Sequence, residues 1–211
     1  IRPDNSAIAH HGLLGYTSDA STIAQAIALD EATEDPGYES FGSYGVNVDD
    51  DFFGGWAPGI EALIFPPTIG KKMEPESALL LQMHYGETMV EESDQTSVNI
   101  FCAEEEVERV VESALMSPEH LTVPFYIPAN QVVTFHGTMY IPGDVSVLSI
   151  IPHSHLLGQS WQVFATSGDN QDTIPMIHIP EWDFHWQGIF TYPSLLHIPE
   201  GYTIHAIAEC Q

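Results

Sequence analysis

The sequence predicts an all-β chain made of two β-sandwich domains, and three observations carry that expectation. Short apolar or alternating runs recur along the chain, turn-forming residues separate them at roughly 8–12-residue intervals, and helical periodicity is scarce. The 211 residues suffice for two domains of about 100 residues each. Hydrophobic residues make up 44% of the sequence, enough to fill a core and to argue against global disorder.

The elements follow in chain order. Residues 21–29 offer two turns of helix, with Asp19 or Ser21 as the cap. Residues 30–55 are acidic and glycine-rich, which suits a surface excursion. Residues 78–85 form an apolar strand stopped by Gly86, and residues 98–101 form a second strand after a polar turn. Residues 104–115 place Val107, Val110 and Val111 at helical spacing but also alternate, so both readings stand. This acidic stretch, continuing to His120, is the expected boundary, giving domains at 1–105 and 106–211.

Strands are then expected at 121–127, 132–140, 145–151, 161–164 and 202–208. The turn chemistry between them is Pro128-Ala129-Asn130, Pro142-Gly143-Asp144, Gly168-Asp169-Asn170 and Pro199-Glu200-Gly201. No internal repeat or low-complexity tract is present.

Charge excludes whole classes of partner. Four basic residues, Arg2, Lys71, Lys72 and Arg109, stand against 30 acidic ones, for a net charge of −26. Such a surface repels nucleic-acid phosphates and anionic lipid headgroups. No apolar run reaches the ~18 residues that span a bilayer, so no membrane insertion is expected. The chain begins at Ile1 with no charged-then-apolar leader and ends in an alternating stretch, so it reads as a processed piece cut mid-strand. Its two cysteines, Cys102 and Cys210, permit one internal disulfide and leave the compartment open.

The chemistry lies in the histidines. Imidazole is the commonest protein ligand for copper, zinc and iron. In Pro152-His153-Ser154-His155, residues two apart on a strand face the same side. A continuous strand would therefore carry Val145, Val147, Ile151, His153 and His155 on one face and deliver both imidazoles to one point. The pair His10-His11 is harder to use, because neighbours on a regular strand point to opposite faces. Both can reach one ion only through a bulge or through different ring nitrogens. His84 follows in an apolar strand, with Gln82 two residues earlier on the same face, placed to hydrogen-bond a ligand. His136, His178 and the segment Trp182-Asp183-Phe184-His185-Trp186 read as ordinary packing. The sequence has no Gly-x-Ser-x-Gly elbow, Walker loop, dinucleotide fingerprint, His-Glu-x-x-His or paired zinc-ribbon cysteines.

Four segments, taken in order, carry a family resemblance. They are Ile8-Ala9-His10-His11-Gly12-Leu13-Leu14, Gly55-Trp56-Ala57-Pro58-Gly59, Leu80-Leu81-Gln82-Met83-His84-Tyr85-Gly86 and Pro152-His153-Ser154-His155-Leu156-Leu157-Gly158. Together they resemble the copper type II, ascorbate-dependent monooxygenases, the family of peptidylglycine α-hydroxylating and dopamine β-monooxygenases, and in particular its bacterial branch.

The resemblance implies two jelly-roll-like domains, both incomplete within these residues, each holding one mononuclear copper across a solvent-filled cleft. By position, His10, His11 and His84 hold the electron-transfer copper. His153 and His155 hold the oxygen-activating copper, with Gln82 a further catalytic candidate. A methionine on a later strand, expected beyond Gln211, completes the second site, so this chain alone is expected not to hydroxylate. The implied reaction inserts one oxygen atom from dioxygen into an aliphatic C–H bond of a small-molecule substrate. Ascorbate or a similar one-electron reductant supplies the electrons, in a secreted or periplasmic setting. Peptide-amidating members carry an arginine two residues before the His-x-His, where this sequence has Ile151, so a peptide carboxylate is a poor substrate expectation. The alternative is a non-catalytic copper-binding or structural module of an extracellular assembly. A zinc hydrolase is disfavoured because no carboxylate sits at ligand spacing beside either pair.

Overall fold

In a computed structural model, residues 1–48, 52–60, 62–186 and 188–211 are described. The excursion expected at 30–55 is described except for residues 49–51. Strand accounts for 37% of the chain and helix for 7%, so the fold is all-β. The chain forms two compact units, Ile1–Ala114 and Leu115–Gln211.

In the first unit, β1 (Ala9–Thr17) is the central strand of a three-stranded antiparallel sheet, flanked by β2 (Phe52–Trp56) and β4 (Ala78–Tyr85). Leu14 and Tyr16 on β1 are buried, and the Tyr16 ring stacks on Phe53 at 5.9 Å. Two-residue strands β3 (Ile69–Gly70) and β5 (Arg109–Val110) pair in parallel. That is all the regular structure formed by the ambiguous stretch 104–115.

Helix α1 (Ala20–Glu31) begins where Asp19 accepts a hydrogen bond from Thr22 N at 2.7 Å. The bond satisfies one of the free N–H groups of the first turn. Hydrogen bonds from the Ser21 hydroxyl and the Thr22 amide hold the Asp19 carboxyl below its ordinary range.

The second unit packs two sheets face to face. One has four antiparallel strands in the order β6 (Val133–Tyr140), β11 (Thr203–Cys210), β8 (Gly158–Thr166) and β9 (Thr173–Ile179). The other pairs β7 (Val145–Ile150) with β10 (Phe190–Ile198). Val163 and Ala165 of β8 and Ile204 of β11 meet Ile198 of β10, with Val147, Ile150 and Leu196 packed around them. Their inward parity follows the two-residue repeat of a strand, and the arrangement is that of a β-sandwich.

Two expected strands do not form. Residues 98–101 and 121–127 are irregular, and only Ser97 and Leu121 make isolated bridges, to Arg2 and Gly137. Alternation supplies a suitable face, but a strand also needs a partner edge, and Pro124 removes a donor from the second segment. Both cysteines carry free thiols, and burial pushes that of Cys210 up. No helix among the described residues is long and apolar enough to cross a membrane.

Candidate metal centre

The first histidine pair sits on an irregularity in β1. Against β4, Ala9 pairs with Tyr85 and His11 with His84, so His10 is one residue too many for a regular ladder. This β-bulge is the device that adjacent histidines require, because it turns an extra side chain toward the face of its neighbour. His84 then arrives directly across the ladder from His11.

The three rings form a nearly equilateral triangle. Their centroids are 5.2 Å apart for His10 and His11, 5.1 Å for His10 and His84, and 4.7 Å for His11 and His84. All three pairs are steeply inclined, at 66°, 54° and 79°, and none is stacked. One nitrogen from each ring can be chosen so that all lie within 4.8 Å of one another. His10 and His11 are half-buried and His84 is exposed.

The His10 and His11 Nδ1 atoms are 3.0 Å apart. Two nitrogens sharing one ion at about 2.0–2.1 Å lie roughly 2.9 Å apart at a right angle and roughly 3.3 Å apart at the tetrahedral angle. The observed separation falls between the two and is also that of an ordinary N–H···N hydrogen bond, so it does not choose among metals. Without an ion the same contact is a hydrogen bond, one ring donating from Nδ1 and the other accepting. Three imidazoles are a donor set that copper, zinc or iron accepts.

Neighbouring contacts hold the elements that bear the triad. Asp94 accepts from the backbone of Asp4 and Asn5 at 2.8 and 2.7 Å, and from the Tyr85 hydroxyl at 2.9 Å. It thus ties the segment before β1 to the residue after His84. Burial alone would raise the Asp94 carboxyl, but the hydrogen bonds from Asn5, Thr96, Tyr85 and Asp4 hold it below its ordinary value. Trp56, from the Trp-Ala-Pro-Gly segment, pairs with Gly12 immediately after the histidines.

Gln82 lies on the His84 face, as expected, and its amide donates to the Ser43 carbonyl. The same segment lays Tyr44 over Gly15, where an added Cβ would be 2.8 Å from Tyr44 Cζ. Burial there pushes the Tyr44 hydroxyl up to about 12. Sequence reasoning missed both this roof and the Asp94 anchor, since their partners lie far apart in the chain.

The second pair is built differently. β7 stops at Ile150, and residues 151–155 are irregular. The expected continuous strand through His155 is therefore replaced by a loop, interrupted where Pro152 has no N–H to give. The His153 and His155 rings are 5.1 Å apart at 86°, both exposed, and Phe184 lies 6.3 Å from the His155 ring. Among the described residues, no histidine, cysteine or carboxylate joins them in a group of three. Met139 and Met176 pack against the core instead.

His136 belongs to a separate network on the outer face of the four-stranded sheet. Its Nε2 lies 3.0 Å from His205 Nδ1, and His205 Nε2 lies 2.9 Å from the Thr166 hydroxyl. Thr166 gives its one proton to Asn170 Oδ1 at 3.1 Å. His205 Nε2–H must then donate to Thr166, leaving His205 Nδ1 to accept from His136. Burial, followed by the nearby His136, lowers the basicity of His205.

Compared with known proteins, the chain matches no family model and no curated protein.

Proposed function

We propose that the chain is the metal-binding part of a copper- and ascorbate-dependent monooxygenase that hydroxylates an aliphatic C–H bond. The convergence of His10, His11 and His84 across a bulge carries this reading. In it, those three residues hold the electron-transfer copper, and His153 and His155 hold the copper at which dioxygen is activated. Copper, when bound, supplies one-electron redox cycling, and three imidazoles suit both of its oxidation states. The chain's own part is to fix the imidazoles and shape their surroundings. The reading places the protein in a secreted or periplasmic setting.

The substrate on this reading is neutral and largely apolar. Residues 115–211 contain no lysine or arginine, so a carboxylate beside the second pair finds no cation in its own unit. The side chains flanking the pair are Ile151, Leu156, Leu157 and Phe184, of which the first three are exposed. One observation favours the second reading, a non-catalytic copper module: His153 and His155 stand as a two-residue set among the described histidines, cysteines and carboxylates.

Copper titration with X-ray absorption is the test. The expected result is one centre with three nitrogen ligands, reduced to two in His84→Ala, and a second with two nitrogens plus solvent. Oxygen uptake with ascorbate then separates the readings. Consumption that rises with an added alkyl or aromatic substrate and yields its alcohol supports the enzyme. Ascorbate oxidation that ignores every such substrate supports the module. A triad that takes up no copper ends both.

A further inference from the structure

The loop carrying His153 and His155 has no strand ladder to fix it, so its anchors decide where the two imidazoles point. The central anchor comes from β8, where Trp161 Nε1 donates to Ser154 Oγ at 2.9 Å. Ser154 is the residue between the two histidines. The indole itself is set in place by packing against the core of the second unit and by the ladders of β8 with β11 and β9. A second contact closes the loop behind it, with Gly158 N donating to the His155 carbonyl at 3.0 Å. Gly158 permits the approach because an added Cβ would lie 2.6 Å from Ser154 Cβ and 2.8 Å from Trp182 Cδ1.

We propose that Trp161 is a positioning residue for the His153–His155 pair, acting through the Ser154 hydroxyl so that the two imidazoles meet a metal ion as a preset chelate. The proposal rests on reading the pair as copper ligands. Without the indole bond, the Ser154 hydroxyl loses its tie to β8, and the peptide units on either side of it are held less closely in the arrangement that brings the two rings together. Groups that orient metal ligands without touching the metal typically change affinity on the order of 10–100-fold.

The test uses the full chain and Cu(II) alone, with the two binding equivalents followed by competition titration and by electron paramagnetic resonance. Trp161→Phe keeps the ring in the core and removes the donor. Ser154→Ala removes the acceptor from the other side, and keeps the test open should Trp161→Phe unfold the unit. The expected result is a second equivalent bound about tenfold more weakly in each variant, with an altered copper hyperfine pattern and an unchanged first equivalent. The double variant should be no weaker than either single one, because both delete the same bond. Wild-type affinity and spectrum in both single variants overturn the positioning role and leave the copper reading standing. A second equivalent that is insensitive to His153→Ala overturns the copper reading of the pair, and the proposal with it.

Discussion

A tyrosine hydroxyl reports on the contact between the 43–44 segment and β1. Tyr44 is pressed onto Gly15, and its burial raises the hydroxyl from 10.0 to about 12. The neutral form is therefore favoured in the folded protein. Its contribution to stability is complete below pH 10 and is lost as the pH rises through about 12. Gly15→Ala puts a methyl group where the ring now lies and should cost ~1–3 kcal/mol through overpacking. Spectrophotometric phenolate titration should find one tyrosine fewer ionising near 12 and one more near the ordinary value. An unchanged titration would mean that the 43–44 segment adapts without leaving the strand. Little of this was legible in the sequence. Gly15 and Tyr44 look like any glycine and tyrosine until the fold brings them together, and Gln82, placed on the correct face by simple alternation, takes a backbone partner that alternation cannot reveal.

At the scale of the strand, the bulge in β1 is a count of one residue. Deleting Ala9 keeps all three histidines but lets His10 take a regular place opposite Tyr85, pointing away from His11. The expected protein has a more regular sheet and a copper centre with two nitrogen ligands in place of three, which X-ray absorption would read directly. On the second unit's outer sheet face, burial and the neighbouring His136 hold His205 below its ordinary value of 6.5, so the folded state resists its protonation. Its stabilising effect is therefore present above pH 6.5 and is lost as the pH falls through the lowered value. Thermal melts between pH 7.5 and 5 should show a fall in the midpoint that His205→Gln reduces. An equal fall in the variant would assign the acid sensitivity elsewhere. The strands β4, β6, β7 and β11 could be read because their apolar runs end at glycine, proline or asparagine turns. β1 and β2 could not, being rich in histidine and glycine, and β9 and β10 are each interrupted by a proline. The two rings of the His-x-His motif lie 5.1 Å apart, but Pro152 makes their carrier a loop where the motif suggested a strand.

For the whole molecule, charge sets the response to solvent. With a net charge of −26, the folded chain repels itself, and the repulsion is screened over about 10 Å at 0.1 M salt. Raising sodium chloride from 10 to about 150 mM, across the range where that screening sets in, should raise the thermal midpoint. A midpoint that falls would mean that specific ion pairs outweigh the net repulsion, although the exposed Lys72–Glu74 contact alone is too weak for that. The all-β class was legible from turn spacing, because it depends on composition over many residues, whereas the two compact units divide at 114/115 and not at the expected 105/106. The distribution of the four basic residues has a practical consequence of another kind. Trypsin cuts only after lysine or arginine, and Arg109 is the last of either in the sequence. Exhaustive digestion, even of the unfolded chain, therefore leaves residues 110–211 as one uncut piece that includes the whole second unit, with its own core and His153 and His155. Cuts after Lys71 and Lys72 meanwhile part His10 and His11 from His84. A protease thus dismantles one histidine group and delivers the other intact, with no engineered boundary.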